Sequence, residues 1–123
     1  MRGRAASGLR AQAGGLDAEA LAAAALEADG WRIHARRLRT KAGEVDLVAE
    51  RYGLLAIVEV KRRRTLAAAA ASLGPRQRTR LLAAAEILLG DHPEWGRAGV
   101  RFDVLVVDDR GNIRRIVDAF RQE

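Results

Sequence analysis

Two acidic residues stand where apolar ones are expected. Asp46 lies in the run Gly43-Glu44-Val45-Asp46-Leu47-Val48-Ala49, and Glu59 in Val58-Glu59-Val60-Lys61-Arg62-Arg63. Both runs have the composition of strands, and the turn Arg51-Tyr52-Gly53 joins them. Side chains alternate along a strand, so Glu44, Asp46 and Val48 share one face, and Glu59 and Lys61 share one face of the next strand. A hairpin turning about Tyr52-Gly53 sets Asp46 opposite Glu59, with Cβ atoms about 5 Å apart. Two carboxylates at that spacing repel each other, and a divalent cation between them turns repulsion into binding. Mg²⁺ or Mn²⁺ would take carboxylate oxygens, retain water and bridge to a substrate phosphate. The Lys61 ammonium, next along the Glu59 face, would orient an attacking water or stabilise charge building on phosphorus.

The choice of lysine is itself informative. Of the 22 basic residues, only Lys41 and Lys61 are lysine; the others are arginine. A compact ammonium with adjustable protonation suits work beside a reacting phosphate better than a guanidinium does. The same three residues also fit a solvent-facing ladder of ion pairs that carries no chemistry, and composition does not separate the two readings.

Further charges surround the triplet. Arg62, Arg63 and Arg64 follow Lys61, and Arg76, Arg78 and Arg80 crowd the start of a helix, where positive charge opposes the helix dipole. Both clusters are candidate contacts to a nucleic-acid backbone. The net charge of +6 also favours a polyanionic partner. Glu44 is either a hydrogen-bonding partner behind the ligands or a solvated charge at a strand end. His34 and His92 read as isolated surface residues, Trp31 as a core residue at a strand end and Trp95 as a loop plug. The sequence has no P-loop, no dinucleotide-binding glycine motif and no Ser-His-Asp arrangement.

These side chains need a frame. Asp17 is placed to cap a helix running to about Ala28, with Gly30 as its stop. Trp31, Ile33 and Ala35 alternate with charged residues as a first strand, ahead of Glu44–Glu50 and Leu54–Arg62. Thr65–Leu73 reads as a loop or weak helix. Pro75 opens a second good helix, about Arg76–Leu89, with Leu81, Leu82, Ala85, Leu88 and Leu89 on its apolar face and Gly90 ending it. Val100–Val107 is a buried strand, and Ile113–Ala119 the last. The order α-β-β-β-α-β-β gives one α/β domain over residues 16–123, a mixed five-stranded sheet flanked by helices. The third and fourth strands, joined through a helix, should be parallel with a right-handed crossover. Residues 1–15 form a basic arm, expected to be disordered. The chain's 123 residues hold no cysteine, which excludes disulfides and thiolate metal sites and fits a cytoplasmic protein. No stretch reads as a membrane span, so no membrane partner is expected.

Taken together, the residues resemble a known group. Asp46 followed by Glu59-Val60-Lys61 on a hairpin after an N-terminal helix resembles the PD-(D/E)xK nuclease superfamily, which includes type II restriction enzymes and archaeal Holliday-junction resolvases. More closely, the chain resembles the uncharacterised bacterial YraN family. The matching residues are Gly15, Glu19-Ala20-Leu21-Ala22, Leu26 and Gly30, the two hairpin runs above, Arg101-Phe102-Asp103-Val104 and Ala119-Phe120. The resemblance implies a restriction-endonuclease-like core, with Asp46 and Glu59 as metal ligands and Lys61 as the catalytic lysine. It also implies the Val60 backbone carbonyl in the metal shell and Glu19 as a further acidic ligand. Resolvase-like members act as dimers because two strands need two sites, so the resemblance extends to a homodimer. Several positions depart from the family pattern: Ala18 where Gly is expected, Gln77 or Arg78 near a common Lys, Arg115 and Asp118 for His and Asn, and an alanine run after Lys61. None of these is Asp46, Glu59 or Lys61.

The expected function is binding of nucleic acid, DNA in the first place, with Mg²⁺- or Mn²⁺-dependent hydrolysis of its phosphodiester bonds, on branched or repair intermediates among others. Two alternatives stand beside it: a non-catalytic nucleic-acid-binding module of the same fold, and an interaction protein that uses its arginine surface.

Overall fold

The computed structural model describes residues 17–120. The expected basic arm and Gly15 lie outside them. Helix α1 spans Ala18–Ala28 and is followed by three strands, β1 Arg32–Thr40, β2 Gly43–Arg51 and β3 Leu54–Arg62. A short helix α2, Leu66–Ala71, and a long one, α3, Pro75–Asp91, lead to β4 Gly99–Val107 and β5 Ile113–Phe120. The five strands form one sheet in the order β1-β2-β3-β4-β5. β3 and β4 run parallel, as a helical connection requires, and the other neighbours are antiparallel. The mixed α/β architecture matches the element order expected from the sequence.

β3 sits at the centre of the sheet and is covered on both sides. Leu55 and Ile57 pack with Leu81, Ala84, Ala85 and Leu88 of α3, while Ala56 and Val58 pack with Ala22, Ala23 and Leu26 of α1. That double burial explains why its sequence is almost continuously apolar. The Glu59 carboxylate, two residues after Ile57, is met by side chains of α3. A third small cluster joins Ala69 of α2 to Val104 and Val106 of β4. β2 and β3 are closed by a two-residue turn in which Tyr52 (φ 52°) and Gly53 (φ 78°) are both left-handed. This is the conformation that matches the twist of a hairpin.

Two helix ends differ from expectation. Asp17 occupies the N-cap position of α1, but its backbone (φ −94°, ψ 16°) is not extended, and its side chain makes no capping bond. Helix α3 runs through Gly90 to Asp91, because the His92 N–H still reaches the Leu88 carbonyl at 2.8 Å. One mid-helix glycine costs about 1 kcal/mol, which the Leu81–Leu88 apolar face outweighs. The stretch after Lys61 resolves as the six-residue α2, capped by the Thr65 hydroxyl. Among the described residues no helix is long and apolar enough to cross a membrane.

Candidate active site

The β2–β3 ladder runs from Arg51/Leu54 to Leu47/Val58. Continued one step, it sets Asp46 opposite Glu59. Beyond the ladder's end the Val60 N–H donates to Asp46 Oδ2 at 2.8 Å, so a side chain takes over where backbone pairing stops. Strict alternation also fails here, contrary to the sequence expectation that Glu44 and Val48 share a face. Val45 and Val48 both enter the cluster under α3, whereas Leu47 enters the opposite one. On β1, Ala35 and Leu38 likewise both pack toward α3, and Arg37 between them is left-handed (φ 50°). Arg37 and Asp46 face each other in the β1–β2 register, so both strands change parity at one level. Asp46 therefore stands at a break in the sheet, not within a flat ladder.

Glu59 is buried, with 7 % of its surface exposed. Its two oxygens are treated unequally. Oε2 accepts from Gln77 Nε2 of α3 and lies 3.6 Å from Lys61 Nζ and 3.8 Å from Arg80 Nη2. Oε1 is buried and has no partner. Burial pushes the Glu59 carboxyl above the usual range, the Asp46 charge adds to that rise, and Lys61 and Arg80 counter it. The Asp46 carboxyl is also raised, mainly by burial; the Val60 N–H pulls it back, while Glu19 and Glu44 push it further up. Asp46 thus feels the charges of Glu19 and Glu44, Glu59 feels that of Asp46, and the half-buried Lys61 ammonium offsets both.

Among the described residues, no group of three or more His, Cys, Asp or Glu side chains could by itself hold a metal ion. Glu19 is bound to Arg37 Nε at 2.6 Å, so its carboxylate is engaged. What remains is the pair Asp46 and Glu59, with one buried Glu59 oxygen bare. That donor set fits Mg²⁺ or Mn²⁺: Mg²⁺ commonly rests on one or two carboxylates, keeps several waters and takes substrate phosphate oxygens.

The arginines divide. Arg62, Arg63, Arg64, Arg76 and Arg78 are exposed, as expected of a binding surface. Arg80, expected among them, turns inward: its Nη1 donates to the Glu44 carbonyl at 2.6 Å and its stem covers Gly43. Glu44 itself has an exposed side chain, and it ties in α3 through its backbone carbonyl. Gln77 was not among the expected site residues, yet it bonds both Glu59 and Lys61. His34 is not an isolated surface residue. It is half-buried, bonds Glu50 Oε1 at 2.6 Å and stacks on Trp95, as His92 also does. Glu50 also accepts the Gly96 N–H, so this group fastens the α3–β4 loop to β2.

Comparison with known proteins now places the chain. The model of a family described as "Uncharacterised protein family UPF0102" matches residues 18–107, from the start of α1 to the end of β4. The chain belongs to the UPF0102 family. It is 65 % identical to the UPF0102 protein of Granulibacter bethesdensis over 114 residues, covering 93 % of this chain and 72 % of that one. It is 54 % identical to the UPF0102 protein of Azorhizobium caulinodans, covering 92 % and 86 %, and 50 % identical to that of Acidiphilium cryptum, covering 98 % and 93 %. The family match spans Asp46, Glu59, Lys61 and Gln77.

Proposed function

We propose that this UPF0102 protein is a divalent-cation-dependent phosphodiesterase that hydrolyses nucleic acid, with DNA as the first substrate to test. The observation that carries the reading is the Glu59 carboxylate: it feels the Asp46 charge, its Oε2 meets the Lys61 ammonium, and its Oε1 is buried without a hydrogen-bond partner. Natural proteins seldom leave such an atom unsatisfied unless something else fills the place. Asp46 and Glu59 would hold Mg²⁺ or Mn²⁺, which when bound neutralises phosphate charge and acidifies water. Lys61 is placed to donate to the attacking water or to the oxygens that gain charge as the P–O bond breaks.

The cation distribution supports a nucleic-acid partner. The β1–β2 turn, the end of β3, the start of α3 and the start of β5 lie at the same end of the sheet as Asp46 and Lys61. They bring Arg39, Lys41, Arg62, Arg63, Arg64, Arg76, Arg78 and Arg114, none of which pairs with an acid among the described residues. By contrast, Arg51, Arg101 and Arg115 are paired with Asp29 or Asp103. Unpaired cations around a carboxylate pair suit a phosphate backbone.

The experiment is incubation of the purified protein with linear, single-stranded and branched DNAs in Mg²⁺, in Mn²⁺ and in chelator. Cleavage of at least one substrate, lost in chelator, is expected. Binding without cleavage of any substrate would make the non-catalytic module the better account. Failure to bind at low salt would point to a protein partner.

A further inference from the structure

Resting on that reading, we infer that Gln77 is a positioning residue that aims the Glu59 carboxylate at the cation and holds Lys61 apart from it. Gln77 lies in the first turn of α3, two residues after Pro75, and is half-buried. Its amide serves both charged groups of the site: Nε2 donates to Glu59 Oε2, and Oε1 accepts from Lys61 Nζ at 3.2 Å. Only one orientation of the amide does this, because a carboxylate accepts and an ammonium donates.

All three donors that approach Glu59 approach the same oxygen. Gln77, Lys61 and Arg80 meet Oε2, and Oε1 meets none. A carboxylate fixed through one oxygen presents the other. Without the amide, Lys61 Nζ, now in a long ion pair of 3.6 Å with Oε2, is free to close to hydrogen-bond distance of the carboxylate. The carboxylate is then also free to turn its second oxygen toward the ammonium or the guanidinium. Either movement pits a cation against the protein's own lysine. Outer partners of metal-binding carboxylates act in this way, and their removal typically costs about 10–100-fold in metal affinity.

The test is titration of Mn²⁺ into the whole chain, following the free aquo ion by electron paramagnetic resonance, with thermal melting of each variant alongside. Gln77→Met keeps the length of the side chain and removes both hydrogen bonds. It should weaken Mn²⁺ binding about tenfold. Thr79→Val, exposed two positions further along the helix, should leave the affinity within about twofold, since it makes no hydrogen bond to the site. Gln77→Ala gives the same readout should the methionine variant not fold. Unchanged Mn²⁺ affinity in folded Gln77→Met or Gln77→Ala, with binding lost in Glu59→Gln, overturns the role of Gln77 and leaves the metal site standing. Absence of Mn²⁺ binding in the wild type, or binding that survives Glu59→Gln, overturns both.

Discussion

The Asp46 carboxyl is raised by burial, and Glu59 by burial and by the Asp46 charge. A carboxyl raised in the folded state holds its proton to higher pH there than in the unfolded chain. Stability is therefore fully present below the unfolded value of about 4 and is lost as pH rises through the folded value. Asp46→Asn removes that loss while its amide oxygen can still accept the Val60 N–H. In chelator, this variant should melt at a higher temperature than the wild type near neutral pH, and the gap should shrink as pH falls toward the carboxylate range. A gap that does not change with pH would show that the charge is not the cause. Asp46, Glu59 and Lys61 were legible in the sequence because acids in an apolar hairpin, and a lysine among arginines, stand out against their surroundings. Gln77 was not, since a glutamine among helix arginines shows nothing until α3 is laid over the end of β3. His34 was misread for the same reason: Glu50 and Trp95, its partners, come to it only through the fold.

Helix α3 and the β2–β3 hairpin make the site jointly, and Gly43 is where they touch. Gly43 has φ +135°, and a Cβ built there would lie 2.7 Å from Arg80 Cδ. Gly43→Ala would therefore strain the backbone and displace the arginine that holds the Glu44 carbonyl. Such strain costs on the order of 1–3 kcal/mol. Urea denaturation should register a loss of that size, and a loss of only a few tenths would contradict the packing described. Strands β2 to β5 were legible to within a residue or so, because turn residues bound them and β3 is apolar on both faces, whereas the alternation that marked β1 stops at Arg36 and the strand runs on to Thr40. The parity break at Arg37 and Asp46 was not. Counting residues assumes a regular pleat, and a left-handed arginine within a strand leaves no mark in composition. Gly90 misled for the opposite reason: a signal that commonly ends helices is here overridden by the apolar face that runs up to it through Leu88 and Leu89.

At the scale of the whole molecule the cations divide into paired and unpaired ones. Arg51, Arg101 and Arg115 are paired with Asp29 or Asp103, whereas the exposed Arg62, Arg63, Arg64, Arg76 and Arg78 near Lys61 have no acidic partner among the described residues. Binding to duplex DNA should weaken with salt, with log affinity falling by about 0.9 per phosphate contact for each unit of log salt. Neutralising Arg62, Arg63 and Arg64 together to Gln should flatten that slope by up to about three contacts' worth. Arg97→Gln, in the α3–β4 loop, should leave it unchanged. Equal effects from both would mean that binding follows net charge and not this surface. The sequence carried the net charge but not its sorting, because pairing of Arg101 and Arg115 with Asp103 depends on how β4 and β5 meet.

The central claim is that Asp46 and Glu59 hold a cation for chemistry that Lys61 assists. The most direct measurement is the Mg²⁺- or Mn²⁺-dependent cleavage rate of the wild type beside Asp46→Asn, Glu59→Gln and Lys61→Ala, on one substrate and at one DNA-saturating concentration. The account predicts cleavage in the wild type, none above background in the two carboxylate variants, and a rate at least about a hundredfold lower in Lys61→Ala. Cleavage that persists undiminished in Asp46→Asn or Glu59→Gln would contradict it.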